Sequence, residues 1–190
     1  MLKPDYPIVT ARLLLRPLDP AADIDAVHAY QSREDVCRYI PYSPRTRDEV
    51  AARLADPEKN RPSIDEEGQA LNLAVIVRDT GALVGDVMLF YRSAEHQSGE
   101  MGYVLNPDYQ GNGYATEACR ALLDLAFDGL KLHRVIARID ERNGASAAVL
   151  RRLGMRQEAV LVENEWFKGE WTNEIDFAIL ASEWRMPQAC

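Results

Sequence analysis

Cysteine is scarce in this 190-residue chain: Cys37, Cys119 and Cys190 are odd in number, widely spaced and without any Cys-x-x-Cys. Neither a disulfide framework nor a thiolate zinc site is expected, and the three are read as reduced thiols, with Cys119 packed on a helix. Histidine is equally sparse. His28, His96 and His133 form no H-x-x-x-H pair, and no carboxylate cluster has metal-ligand spacing, so no catalytic metal is expected. Long apolar runs are missing too: Leu73 to Val77, Val87 to Tyr91 and Phe177 to Ala181 are five residues each, against the roughly 18 that a membrane helix needs. The first residues hold Pro4, Asp5, Pro7 and Arg12 in place of an apolar block and cleavage site, which points to a cytoplasmic protein. Basic charge is in deficit, 22 Lys and Arg against 30 Asp and Glu for a net charge of −8, so a nucleic-acid partner is not expected either.

What is present is the composition of an ordinary globular chain, 47% hydrophobic and 27% charged, and residues 1–190 are read as one domain. Leu13 to Leu15 reads as a strand leading to a helix from Ile24 to Tyr30 with Asp23 as its N-cap. Thr46-Arg47-Asp48-Glu49 has the form of a capping box and predicts a helix over Arg47 to Leu54. Asp56 to Gln69 reads as a loop with little to bury. Leu71 to Val77 and Leu83 to Tyr91 flank a five-residue turn containing Gly81, the signature of a hairpin. Met101 to Leu105 is a further strand, closed by Asn106-Pro107. The period then changes: Ala118, Ala121, Leu122, Leu125 and Ala126 make one helical stripe. Val135 to Ile139 is a strand, Ala147 to Leu153 a helix stopped by Gly154, and Glu174 to Leu180 a last strand. Grouped strands with helices before and after indicate a mixed α/β sheet covered by helices.

The segment richest in chemistry is Gln110-Gly111-Asn112-Gly113-Tyr114-Ala115, between the Met101 strand and the amphipathic helix. Glycines at a strand-to-helix turn let backbone approach a ligand, and the free amides of the helix start suit a phosphate or pyrophosphate. A plain glycine-rich connection is the alternative. A Walker A loop is excluded, because no Gly-Lys is followed by Ser or Thr. A dinucleotide fingerprint fits poorly, because its third position falls on Thr116. Gly144-Ala145-Ser146 is no nucleophile elbow either, since every histidine precedes Ser146.

The form Q/R-x-x-G-x-G/A resembles the acetyl-CoA loop of the GNAT superfamily of N-acetyltransferases. The resemblance extends along the chain. Thr10 to Pro17 is similar to the opening strand of the subgroup that acetylates N-termini of ribosomal proteins, and Gly99 to Leu105 to its central strand. Asn143, Ser146, Leu150 and Gly154-Met155 match its N-x-x-S…L-x-x-x-G-[F/M] stretch, and Phe167 to Trp171 its late hairpin, with Asn173 where an Asp is common. The resemblance implies a mostly antiparallel sheet splayed between the Met101 and Val135 strands, with acetyl-CoA in the gap. Val104 and Leu105 would supply backbone contacts, Gln110, Gly111, Asn112, Gly113, Tyr114 and Ala115 would hold the pyrophosphate, and Asn143 and Ser146 would lie beside the sulfur.

The acceptor implied is a primary amine, most simply a protein or peptide N-terminus; a small amine or antibiotic, or a module that binds acyl-CoA without turnover, are the alternatives. A homodimer stays open. With an α-amine reference pKa of about 7.7 to 8.0 and a thiol leaving group near 8.5, moderate acid and base groups suffice. Glu100 is the candidate base or a solvated strand-edge carboxylate; Ser146 is the candidate acid or a capping hydroxyl, with Tyr103 and Tyr114 as other donors. Leu105 amides would stabilise a developing oxyanion. Trp166, Phe167, Trp171, Tyr39 and Tyr42 are candidate acceptor-cleft walls or hairpin packing. Between Gln110 and Arg156, eight basic residues stand against five acidic ones, which makes Arg120, Arg151 and Arg152 candidates for the cofactor's adenosine phosphate.

Overall fold

The computed structural model describes residues 1–185; Cys190 lies outside them. One sheet of eight strands carries the chain from residue 8 to residue 180. Its strands are β1 (Ile8–Val9), β2 (Leu13–Pro17), β3 (Ala70–Val77), β4 (Leu83–Ser93), β5 (Ser98–Leu105), β6 (Arg134–Asp140), β7 (Arg156–Phe167) and β8 (Glu170–Leu180). They lie in the order β1-β2-β3-β4-β5-β6-β8-β7, and every neighbouring pair is antiparallel except β5 with β6. The helices are α1 (Ile24–Gln31), α2 (Glu34–Cys37), α3 (Arg47–Ala55), α4 (Tyr114–Asp124), α5 (Gly144–Arg152) and α6 (Ala181–Trp184).

Alternation along β5 sorts the two faces. Met101 is buried in the larger core with Ala118 and Leu122 of α4 and Leu150 of α5, whereas Val104 packs on the smaller core of Val27 and Tyr30 from α1 and Val50 and Leu54 from α3. The expected stripe of α4 is buried at Ala118 and Leu122, and the helix ends in a wide turn over Leu125–Gly129 in which the Leu130 amide donates to Leu125 O at 3.0 Å. Cys37 and Cys119 are buried free thiols, and burial alone pushes the Cys119 thiol well up.

The capping box of α3 is formed as its sequence predicts, Thr46 and Glu49 exchanging side-chain and backbone hydrogen bonds. Two expectations are corrected. Asp23 occupies the N-cap position of α1 but caps nothing: its carboxylate accepts both Arg16 nitrogens, at 2.6 and 2.9 Å, and the Asp19 amide, because a bidentate guanidinium outbids a single amide. The segment from Asp56 to Gln69 does bury a residue. Ile64 is fully inaccessible and bridges to Leu2, which brings the chain's start onto the larger core.

Candidate active site

The parallel pair β5–β6 is joined only at Ser98 with Arg134, Gly99 with Val135 and Glu100 with Ile136. Beyond Glu100 the two strands diverge, so Met101–Leu105 and Ala137–Asp140 face each other across a gap without ladder pairs. Such edges offer amide and carbonyl groups to an extended ligand. A cavity of about 960 Å³ opens there, bounded by Tyr103, Val104 and Leu105 of β5, the Gln110–Thr116 turn, and Asn143, Ser146 and Arg152 on α5.

The turn is held by two glycines in the left-handed region, Gly111 at φ +80° and Gly113 at +77°, the latter the N-cap of α4. The first residues of α4, Tyr114, Ala115 and Thr116, line the cavity, and helix geometry gives their amides no intrahelical acceptor. A third glycine matters as much. Gly85 of β4 sits opposite Leu105, and a Cβ there would lie 2.3 Å from the Val104 carbonyl oxygen and 3.0 Å from Leu105 Cα. Only a residue without a side chain lets the end of β5 lie this close to β4. A strand-interior glycine gives little signal in sequence, and its importance emerges only with the register.

The turn is clamped by Arg12, which lies between β1 and β2 and itself lines the cavity. Its Nη1 donates to Asn112 O at 2.8 Å, its Nε to Glu117 Oε2 at 2.7 Å, and its guanidinium lies 5.1 Å from the Tyr114 ring centroid. Glu117, in the first turn of α4, also accepts the Arg12 amide at 2.7 Å and the Thr10 hydroxyl at 2.6 Å. Burial works to raise the Glu117 pKa, but these hydrogen bonds together hold it below the usual carboxylate range.

Of the residues singled out in sequence, Val104, Leu105, Gln110, Gly111, Gly113, Tyr114, Ala115, Asn143, Ser146 and Arg152 all line the cavity. Asn112 does not: its side-chain amide folds back on the Tyr109 and Gln110 carbonyls, at 3.0 and 3.3 Å, and braces the turn. Asn143 caps α5 by accepting the Ser146 amide at 3.0 Å, so the Ser146 hydroxyl is not the cap. That hydroxyl lies 2.6 Å from Tyr103 Oη instead. Glu100 does not line the cavity. It stands where β5 and β6 part, on the face of Val104, with its carboxylate held by Arg92 and by Arg138 Nε at 3.1 Å. Arg120 and Arg152 lie at the cavity, whereas Arg151 packs over Phe177 with 5.5 Å to the ring centroid. Tyr39 borders the cavity; Tyr42, Trp166 and Phe167 border a second one of about 490 Å³, where Lys168 of the hairpin tip donates to the Cys37 carbonyl. Trp166 and Trp171 meet edge to face at 5.4 Å and remain largely exposed. Among the described residues no group of three or more His, Cys, Asp or Glu could hold a metal, and no helix is long and apolar enough to cross a membrane.

Residues 12–156 match the family model of the acetyltransferase (GNAT) domain. The chain belongs to the GNAT acetyltransferase family. A GNAT family acetyltransferase from Bacillus anthracis has the same fold, with a TM-score of 0.82 and 35% identity over 93% of this chain and 99% of its own. The "Uncharacterized N-acetyltransferase YnaD" of Bacillus subtilis (strain 168) is 36% identical over 177 residues, 93% of this chain and 98% of that protein. The Spermidine N(1)-acetyltransferase of Escherichia coli (strain K12) is 26% identical, covering 90% of this chain and 87% of its own. This GNAT chain is therefore an acetyl-CoA-dependent N-acetyltransferase. The residues at the cavity suit acetyl-CoA: open strand edges for an amide-bearing arm, free helix amides for a pyrophosphate and Arg152 for a further phosphate.

Proposed function

We propose that the acceptor is the α-amine at the N-terminus of a protein or peptide, and that it attacks directly in a ternary complex with acetyl-CoA. The observation that carries this reading is the arginine pairing of Glu100 and Asp140, the carboxylates of β5 and β6 on the face opposite α4, with Asp176 of β8 keeping one buried oxygen without a hydrogen-bond partner. Glu100 is held by Arg92 and Arg138, Arg138 also lies 3.8 Å from Glu174, and Arg142 binds Asp140 and Glu170, each at 2.6 Å. A polyamine brings two or more ammonium groups and needs carboxylates whose charge is uncompensated. Compensated carboxylates suit a single amine that is partly neutral near pH 7.5, as an α-amine of pKa about 7.7 to 8.0 is. The similarity of the strand and hairpin motifs to the ribosomal-protein subgroup points the same way.

Acetyl-CoA supplies an activated acetyl thioester whose C–S bond breaks as the C–N bond forms. The chain's residues do the rest. Val104, Leu105 and the Gln110–Ala115 turn bind and orient the donor, and Leu105 amides face the developing oxyanion. Glu100 takes the proton lost by the nitrogen through water, since its own oxygens are engaged by two arginines. Ser146 donates a hydrogen bond to the departing sulfur, which finally gains one proton, so the balance is one proton lost by nitrogen and one gained by sulfur.

The test is an acceptor panel read by CoA release: peptides with free and with blocked N-termini, spermidine and an aminoglycoside. The free peptides should give the highest kcat/KM and the blocked ones none. Turnover confined to spermidine or the aminoglycoside would overturn the assignment and favour the similarity to the spermidine enzyme.

A further inference from the structure

We propose that Tyr103 is a positioning residue for the leaving-group step: its phenol donates a hydrogen bond to Ser146 Oγ and so turns the serine hydroxyl hydrogen toward the sulfur released from acetyl-CoA. The inference rests on the reading of Ser146 as the group beside that sulfur. Tyr103 Oη lies 2.6 Å from Ser146 Oγ and 3.1 Å from the Ser146 carbonyl oxygen. Phenol and serine carry one hydroxyl hydrogen each, so two arrangements exist. In one, Tyr103 donates to the carbonyl and Ser146 donates back to the phenol, which leaves the serine no hydrogen for the cavity. In the other, Tyr103 donates to Ser146 Oγ and the serine hydrogen is free to point into the cavity that Ser146 lines.

The 2.6 Å contact to Oγ is made in both arrangements and the 3.1 Å contact to the carbonyl only in the first, so the distances do not select the second; negative charge developing on sulfur does, by attracting the serine hydrogen. Two features help it. The amide of Ser146 is already taken by Asn143, so the hydroxyl has no capping duty to compete with. Burial raises the Tyr103 pKa well above its ordinary value, so the phenol keeps its hydrogen throughout and has it to donate. Two aligned O–H dipoles then point in series at the thiolate, each strengthening the other. No proton leaves Tyr103. The proton that ends on sulfur balances the one lost by the amine.

The deciding measurement needs no knowledge of the acceptor. CoA is bound to the wild type, Y103F, S146A and Y103F/S146A, and its thiol is titrated by thiolate ultraviolet absorbance, with desulfo-CoA complexes as blanks. Donors at the sulfur should lower the bound thiol's pKa in the wild type. S146A and Y103F should each raise it, and the double variant should match S146A, because Tyr103 acts only through Ser146. In turnover with a responsive amine, Y103F should lower kcat roughly tenfold, the equivalent of one pKa unit, with KM for acetyl-CoA unchanged. Phe keeps the ring that packs on the core, so thermal stability should stay near wild type. A Y103F titration and kcat equal to wild type, or variant effects that add in the double, overturn the proposal. A silent S146A overturns it together with the role of Ser146, while the acceptor assignment stands or falls on its own panel.

Discussion

Gly85 shows how one absent side chain shapes the β5 wall of the cavity. Its neighbours in the register are Val104 and Leu105, and the space a methyl group would need is filled by the Val104 carbonyl 2.3 Å away. Backbone cannot swing aside as a flexible side chain can, so Gly85→Ala must push the end of β5 outward. Overpacking of this kind costs about 1–3 kcal/mol. The displaced residues line the cavity, so the expected outcome is a lower thermal midpoint together with weaker CoA binding by calorimetry. A G85A protein as stable as the wild type and binding CoA equally well would show that β5 has slack here. The fold and most cavity-lining residues could be read ahead of the coordinates, because a glycine-rich turn and its helix lie contiguous in sequence. The side-chain pairings around the proposed catalytic residues could not. Tyr103 and Ser146 are 43 residues apart, as Glu100 and Arg138 are 38 apart, and no periodicity rule reaches across such separations.

Elements differ in how openly they declare themselves. The α3 capping box, the β3–β4 hairpin and the buried stripe of α4 each follow a local rule, and each forms as expected. β7 has no such signature: it is an edge strand, exposed along nearly its whole length, with register shifts after Gln157 and Leu161, so its sequence never alternates in burial. The divergence of β5 from β6 was legible only through family resemblance. Contact between α4 and the β1–β2 turn was equally hidden, and it carries a pH consequence. Glu117 is held below its ordinary carboxylate range by Thr10 and Arg12. A carboxylate with a depressed folded-state pKa contributes stability that is present above its unfolded value of about 4.3 and is lost as pH falls through the folded value. Glu117→Gln should therefore lower the thermal midpoint at pH 7 and make it less sensitive to acid between about pH 5 and pH 3. Because Arg12 also holds Asn112, the same variant should weaken CoA binding at pH 7. An E117Q midpoint that falls with acid as steeply as wild type would assign the acid sensitivity to other carboxylates.

For the whole molecule, a net charge of −8 sits oddly beside a polyanionic donor until its distribution is considered. The stretch from Gln110 to Arg156, which forms the turn, α4, β6 and α5, carries eight basic residues against five acidic ones, and the acidic excess lies before and after it. Many of these arginines are engaged within the fold: Arg134 and Arg156 bind Glu158, whose pKa the two guanidiniums hold down at about 2, Arg138 binds Glu100, and Arg142 binds Asp140 and Glu170. Arg152 differs, being exposed on α5 at the rim of the cavity. Its attraction for a phosphate acts through solvent and is screened within about 10 Å at 0.1 M salt. Raising salt from 0.02 to 0.3 M should therefore weaken CoA binding, roughly three- to tenfold for a few exposed contacts. If Arg152 holds a phosphate as proposed, Arg152→Ala should weaken binding at low salt and flatten that dependence, with kcat at saturating acetyl-CoA unchanged. Calorimetric titrations of CoA at a series of salt concentrations measure both effects. An R152A protein with the wild-type salt slope would place the electrostatic attraction elsewhere at the cavity, on Arg12, Arg120 or the backbone amides at the start of α4.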